Sequence, residues 1–248
     1  AMMAISGFLN SPLVSGEVDN IKIVETEQTP QAPESNTDSE VVRYFIDATE
    51  MKQDESVFDE IRYSDINFGG VHTNPHNTFY DSETILWGQF SRFLPIKVSL
   101  RALAALTDDG SPVTIARWFY FIFDSVASIR TYLRQVDKEN RIPRGEQFAS
   151  GFPKQHSKSI DRYLNHSCAC QYKDGRIVGF PAHLGLIHVE GEGEGGDRLV
   201  SLTQAGLEYV AISNPVIDEA STSTAMSPEE AALMIGRIQE ILPSAWGF

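Results

Sequence analysis

The chain is short of cysteine, of positive charge and of long apolar runs. Its 248 residues include only two cysteines, Cys168 and Cys170, one residue apart. A bridge between them would close a tiny, strained loop, so a disulfide framework is excluded and a reducing cytoplasm is predicted. The densest apolar run, residues 115–123, contains an arginine and is too short to cross a membrane. The first nine residues lack the basic stretch of a secretory signal.

Several catalytic signatures are missing as well. The sequence has no GxxxxGK[ST] phosphate loop, no GxSxG nucleophile elbow and no HExxH helix. His166, Cys168 and Cys170 place three soft ligands close together, but their spacing differs from the separated CxxC pairs of structural zinc sites. We therefore predict no metal, no other cofactor and no enzymatic activity. A metal-dependent nuclease with its site in the carboxylate-containing residues 41–95 stays open as an alternative.

The net charge of the chain is −14, from 20 Lys+Arg against 34 Asp+Glu. Hydrophobic residues make up 42 % and aromatic residues 10 %, as in a folded protein of one or two domains. Net negative charge repels nucleic-acid phosphates, but here the charge is uneven. Residues 96–185 hold 13 basic and 8 acidic residues, whereas residues 1–60 hold 3 and 13. A nucleic-acid surface is therefore predicted only in the basic middle.

That basic middle has the most regular helical pattern. One helix is predicted to start near Pro95 and to stop at the turn signal of residues 107–112. A second helix is predicted after Thr114, which suits an N-cap. Asp124 and Ser125 interrupt its apolar run, and they predict a turn before a third helix.

The third predicted helix is amphipathic. Its apolar stripe is expected to face the core and comprises Val126, Ile129, Leu133 and Val136. The opposite face and its flank carry residue types that reach phosphates and base edges in a major groove: Ser128, Arg130, Thr131, Arg134, Gln135 and Lys138. The aromatic side chains of the preceding helix, Trp118 to Phe123, are expected to pack inside or to meet a protein partner.

Two stretches resemble winged-helix DNA-binding proteins. The sequence of residues 113–139, VTIARWFYFIFDSVASIRTYLRQVDKE, is similar to a helix-turn-helix of that superfamily. The motifs LGLI at 184–187 and LTQAG at 202–206 resemble the motifs that, in winged-helix proteins, open the wing hairpin and start the last helix. The resemblance implies DNA binding, with further bases on phosphates: Arg117, Arg141, Arg144, Lys154, Lys158 and Arg162.

The predicted wing departs from the resemblance at its tip. Leu186, His188, Leu199 and Ser201 alternate as in a hairpin, and Thr203 is a competent N-cap. The tip between them carries four carboxylates, which a duplex would repel: Glu190, Glu192, Glu194 and Asp197. This part is therefore expected to dock proteins, or to read DNA by its helix only.

The predicted fold class is mainly α with small β structure: tandem winged helix-turn-helix units, a small N-terminal α+β segment and a C-terminal amphipathic helix. The predicted boundaries are 1–40 (acidic, largely irregular), 41–95 (α+β), 96–145 and 146–212 (winged-helix units) and 213–248 (linker and C-terminal helix). Shorter expectations are a strand at 41–46 and helices at 56–66, 147–152, 157–170 and around 176–184, with the last helix beginning at Ser227-Pro228.

The predicted function is non-enzymatic binding of double-stranded DNA, as a transcriptional regulator or an accessory subunit. The alternative is a winged-helix docking subunit of a multi-subunit DNA-processing or defence machine, which would meet proteins through its acidic ends or its aromatic helix. A homodimer through the C-terminal helix is reasonable, and no membrane partner is expected.

Overall fold

A computed structural model describes residues 21–23, 41–42, 44–46, 61–75, 93–153, 163–164, 167, 170–172, 177–191, 198–219, 221 and 223–241. Over these residues the chain is mainly helical with a small sheet of four strands, so the predicted fold class is confirmed in that coarse form. The described helices are α1 (Phe93–Leu106), α2 (Ile115–Glu139), α3 (Phe180–His183), α4 (Gln204–Val210) and α5 (Pro228–Ile241). None of them combines the length and the apolar character that a membrane crossing requires.

Helix α2 runs without a break through Asp124 and Ser125, so the turn predicted there is wrong. Its start is as predicted, because the Thr114 hydroxyl accepts a hydrogen bond from the backbone N–H of Arg117 at 3.1 Å. The buried positions of α2 continue at helical steps across the supposed break, from Ile122 to Val126. The Ser125 hydroxyl donates to the carbonyl of Phe121 within the helix and so caps nothing.

The strands form three sheets. In the smaller two, β1 (Ile21–Ile23) pairs with β3 (Tyr44–Ile46), and β6 (Cys170–Tyr172) lies between β2 (Val41–Val42) and β7 (Ile177–Val178), all antiparallel. In the four-stranded sheet, β9 (Leu199–Thr203) pairs antiparallel with β5 (Val113–Thr114) and β8 (Ile187–Glu190), and parallel with β4 (Thr73–Asn74). The strand predicted over 41–46 is thus two strands in two sheets. The four-stranded sheet also joins segments on both sides of the boundary predicted at residue 145.

The hairpin predicted from LGLI and LTQAG is confirmed, with Ile187 opposite Leu202 and Glu190 opposite Leu199. Of the four alternating positions, Leu186 and Ser201 are buried and Leu199 is exposed, and the core of the hairpin also holds Ile187, Val189, Val200 and Leu202. The Thr203 hydroxyl accepts from the N–H of Gly206 at 3.1 Å and donates to the carbonyl of Gly185 at 2.6 Å. A Cβ at position 206 would stand 2.0 Å from the Leu186 carbonyl oxygen, so the close approach of α4 requires glycine there.

Two shorter helix predictions are wrong within the described residues, and a third holds in part. Residues 61–66 form turns, with Ile61 buried and its carbonyl accepting from Arg101 at 3.1 Å. Residues 147–152 form turns because Gly151, at φ 98°, has a backbone conformation that no α-helix contains. In the helix predicted over 157–170, Tyr163, Leu164 and Ser167 are helical, but Cys170 begins a strand. Near 176–184 only α3 is helical, and residues 56–60 and most of 157–169 lie outside the described residues.

Helix α1 is buried from Leu94 to Ala104, and this includes two cations one turn apart. Lys97 and Arg101 were counted with the basic middle, but both are fully buried and cannot belong to a surface. Lys97 Nζ lies 2.8 Å from the Glu230 carboxylate, and Arg101 Nη2 lies 2.9 Å from that of Asp218. Burial lowers the pKa of Lys97 to about 8, although the charge of Glu230 opposes that change.

Asn214 links the two buried ion pairs. Its side-chain amide donates to both Glu230 oxygens, at 3.0 and 3.2 Å, and its backbone N–H donates to Asp218 at 2.7 Å. Its side-chain oxygen accepts from the N–H groups of Val216 and Ile217. The segment from residue 212 into α5 is therefore attached to α1 through buried charged and polar groups.

Helix α5 begins where predicted, in a capping box. The Ser227 hydroxyl accepts from the N–H of Glu230 at 3.1 Å, while the Glu230 carboxylate accepts from the N–H of Ser227 at 2.8 Å. Met234 is buried in the core, whereas the next residue, Ile235, is 46 % exposed. The helix thus packs on its own core through Glu230 and Met234.

Candidate nucleic-acid interface

The C-terminal half of α2 divides into an apolar and a polar face as the sequence predicts. Val126, Ile129 and Leu133 are each 1 % exposed, and Val136 packs against them at the edge of the core. The polar face of this half is open to solvent at Thr131, Arg134, Gln135 and Lys138, and half-buried at Ser128 and Arg130, while Arg117 and Tyr120 are exposed in the first half of the helix. The residues proposed for nucleic-acid contact therefore lie on the accessible side of the helix.

Five cations gather at the end of this helix and in the turn that follows it. We call them the basic end of α2: Arg130, Arg134, Lys138, Arg141 and Arg144. Arg130, Arg134 and Lys138 occur at every fourth residue, so each lies about 6 Å along the helix axis from the next. Arg117 lies roughly 25 Å from Arg134 along the same axis and is not part of the cluster. Lys154, Lys158 and Arg162 lie outside the described residues.

The basic end is not neutralised by neighbouring acids. Among the residues that the structure describes, no carboxylate forms an ion pair with any of its five members. Asp137 is buried and accepts the backbone N–H groups of Phe148 and Ala149 at 2.8 and 3.0 Å. Glu139 accepts from the side-chain amide of Gln135 at 2.5 Å. The surface thus keeps its positive charge, which attracts polyanions.

Arg130 is fixed in place by the chain that follows α2. Its Nε donates to the carbonyl of Phe152 at 3.1 Å, and Phe152 is itself buried. Burial, and then the charge of Arg134, lower the pKa of Arg130 from its ordinary value. Since no carboxylate in the described ranges pairs with either guanidinium group, an anion placed between them would be stabilised by both.

The end of α2 is a Schellman-type turn. The N–H of Arg141 donates to the carbonyl of Lys138 at 3.3 Å, and the N–H of Ile142 donates to that of Asp137 at 2.9 Å. Arg141 has φ 53°, and it is the one non-glycine residue in the described ranges with a positive φ. The turn keeps the backbone of Arg141 within hydrogen-bond distance of Lys138, and Arg144 is exposed three residues further along the chain.

The aromatic part of α2 is not a free partner surface. Trp118, Phe119 and Phe123 are 0, 2 and 8 % exposed, and the Trp118 indole donates to the carbonyl of Ser99 at 2.9 Å. Only Tyr120, at 38 %, counts among the exposed large hydrophobic side chains of this helix. Trp118, Phe119 and Phe123 therefore pack in the core, which is one of the two roles predicted for these aromatic residues.

The other candidate groups gain no support from the geometry. The described residues contain no group of three or more His, Cys, Asp or Glu side chains placed to hold a metal. His166 and Cys168 are outside those residues. Of the four acidic residues of the wing tip only Glu190 is described, at the end of β8, where it accepts a hydrogen bond from Asn74.

Sequence reasoning missed the buried ionic groups, although the sequence contains a signal for them. Positions 93–106, FLPIKVSLRALAAL, are apolar on every side of the helix except at Lys97, Ser99 and Arg101. A helix that is apolar all round is a buried helix, so its charges must be buried too. Their partners could not be found, because Asp218 lies 117 residues from Arg101.

No protein-family model, curated protein or solved structure matches the chain, so the site is defined by its own geometry.

Proposed function

We propose that this chain is a DNA-binding protein, a transcriptional regulator or an accessory subunit, which contacts double-stranded DNA through the basic end of α2. The observation that carries the proposal is the group of five cations with no carboxylate partner among the described residues. Phosphates supply the opposite charge at a matching density, one per strand for about each 3.4 Å of duplex axis. The strongly acidic remainder of the chain would confine a duplex to this surface.

We further propose one winged-helix-like unit in place of two in tandem. In a tandem arrangement each unit would have its own strand beside its own hairpin. Here β5, from the first predicted unit, pairs with β9, from the hairpin of the second. The helices α1 and α2, the short strand β5 and the β8–β9 hairpin then belong to the same unit, with its first and last parts far apart in the sequence.

Fluorescence anisotropy with a labelled duplex of about 20 base pairs tests the DNA-binding proposal. The wild-type protein is expected to bind at low salt, with an affinity that falls by about 0.9 in log K per unit of log salt for each phosphate contact. The double variant R134A/K138A is expected to bind more weakly and to lower that slope by about 1.8.

The matched control is R117A, which removes one exposed cation from the same helix roughly 25 Å away. It is expected to bind like the wild type. An equal loss in R117A would mean that net charge, and not this surface, determines the affinity. No binding by the wild-type protein at low salt would contradict the proposal and favour the protein-docking alternative.

A further inference from the structure

The backbone of Arg141 has a conformation that glycine adopts more easily than any other residue. Five other positions in the described ranges have positive φ, and all five are glycine: Gly110, Gly151, Gly179, Gly185 and Gly191. In a Schellman turn the residue after the C-cap is usually glycine as well, because a Cβ is strained in the left-handed region. Position 141 therefore keeps an arginine side chain at a cost to the stability of the turn.

This position directly follows a row of cations on α2. Arg130, Arg134 and Lys138 follow one another at steps of four residues, which places them on a single inclined row of the helix surface. The turn after α2 adds Arg141 beyond Lys138. The three helical members span about 12 Å, the length over which one strand of a duplex presents three or four phosphates.

The residue type best suited to reading bases beside this row is already engaged. Gln135, which could bind adenine, donates its side-chain amide to Glu139 at 2.5 Å. Glu139 also places a carboxylate on that side of the helix, where it would repel a strand that moved away from the row. Positive charge on one side and negative charge on the other favour a strand that follows the row.

We propose that Arg130, Arg134, Lys138 and Arg141 bind the phosphates of one duplex strand independently of base sequence, and that Arg141 is retained for this contact against the backbone preference for glycine. The inference rests on the proposed DNA binding and specifies its mode. At position 141 phosphate binding favours arginine, whereas the backbone conformation favours glycine. Duplex affinity and thermal stability measure these two effects separately.

The experiment compares the wild type with R141G, R141K and Q135A. R141G is expected to raise the midpoint of thermal unfolding, because the strained Cβ is gone. The same variant is expected to bind a labelled duplex several-fold more weakly, with a salt slope reduced by about 0.9. R141K keeps the charge and is expected to retain the wild-type slope. Q135A tests base reading, and two duplexes of unrelated sequence are expected to bind within two-fold of each other both in the wild type and in Q135A.

Several results would overturn this inference while leaving DNA binding in place. One is unchanged affinity and salt slope in R141G. Another is a lowered unfolding midpoint in R141G, because arginine would then stabilise the turn. A third is an affinity difference above ten-fold between the unrelated duplexes that Q135A removes, since base reading would then dominate. Binding to phosphatidylserine vesicles but to no duplex would overturn the inference and the proposed function together.

Discussion

Replacement of Glu230 by glutamine removes one charge and two hydrogen-bond acceptor sites from the protein interior. The carboxylate accepts from Lys97 Nζ, from the side-chain amide of Asn214 and from the backbone N–H of Ser227, all within 3.2 Å. A glutamine amide presents one oxygen and one NH2 group, so in either orientation its NH2 group faces a donor. Asn214 cannot turn to offer its own oxygen, because that oxygen already accepts from Val216 and Ile217.

The expected loss is that of a buried ion pair broken on one side, roughly 3–5 kcal/mol. For a chain of this size, a loss of that magnitude lowers the midpoint of thermal unfolding by roughly 6 °C or more. Urea denaturation followed by circular dichroism gives the free energy, with E229Q as the control in the same helical turn. Glu229 is exposed, so its substitution is expected to change the free energy by less than about 0.5 kcal/mol.

A double variant separates the ion pair from the packing around it. Replacing both partners with apolar residues, as in K97M/E230L, leaves no lone charge and is expected to be more stable than E230Q. If E230Q unfolds within 1 kcal/mol of the wild type, the buried pair does not hold α5 to α1 and the reasoning is refuted.

Three further predictions concern a helix cap, two glycines and the buried lysine. T203A is expected to lower the free energy of unfolding by about 1–2 kcal/mol and T203S to restore it in urea titrations, because a hydroxyl caps α4. G206A is expected to cost about 3 kcal/mol or more, because its Cβ would meet backbone. By contrast, G236A meets nothing within 4 Å on an exposed helical position and should stabilise by roughly 0.5–1 kcal/mol; equal effects would contradict the steric argument. Because the folded-state pKa of Lys97 is about 8, unfolded chains hold a proton that folded chains have lost between pH 8 and 10. Stability should therefore rise with pH across that window relative to K97M, by up to about 1.4 kcal/mol per pH unit, and an identical pH profile for the two proteins would refute this. Above pH 10 the raised pKa of Tyr209 acts in the opposite direction, since only the unfolded chain loses that proton.

Local signals in the sequence were sufficient for the hairpin and for three helix starts. Thr114, Thr203 and Ser227 each cap the helix that follows them, because an N-cap needs only a hydroxyl and the next three residues. The break predicted at Asp124 is wrong because capping residue types alone do not end a helix whose buried positions keep the helical period. The buried positions of α2 continue at helical spacing through that point, so a single unbroken helix buries all of them against the same core.

Partners distant in sequence could not be predicted from local patterns. Nothing near Lys97 or Arg101 indicates that acids more than 100 residues later neutralise them. The basic surface shows the same limit. The 13 bases of residues 96–185 suggested one face, yet two are in the core and five others gather at the end of α2. Whether a charge is on the surface depends on which side of its helix the core occupies.

The two roles of Glu230 have a consequence for the order of assembly during synthesis. The same carboxylate closes the capping box of α5 and neutralises Lys97, so the start of this helix and its attachment to α1 share one group. A ribosome produces α1 more than 100 residues before Asp218 and Glu230. Until those acids emerge, α1 carries two cations that its own apolar surroundings cannot accept. The core around α1 therefore closes late, after α5 has left the ribosome, and the nascent chain exposes an apolar, positively charged helix in the meantime.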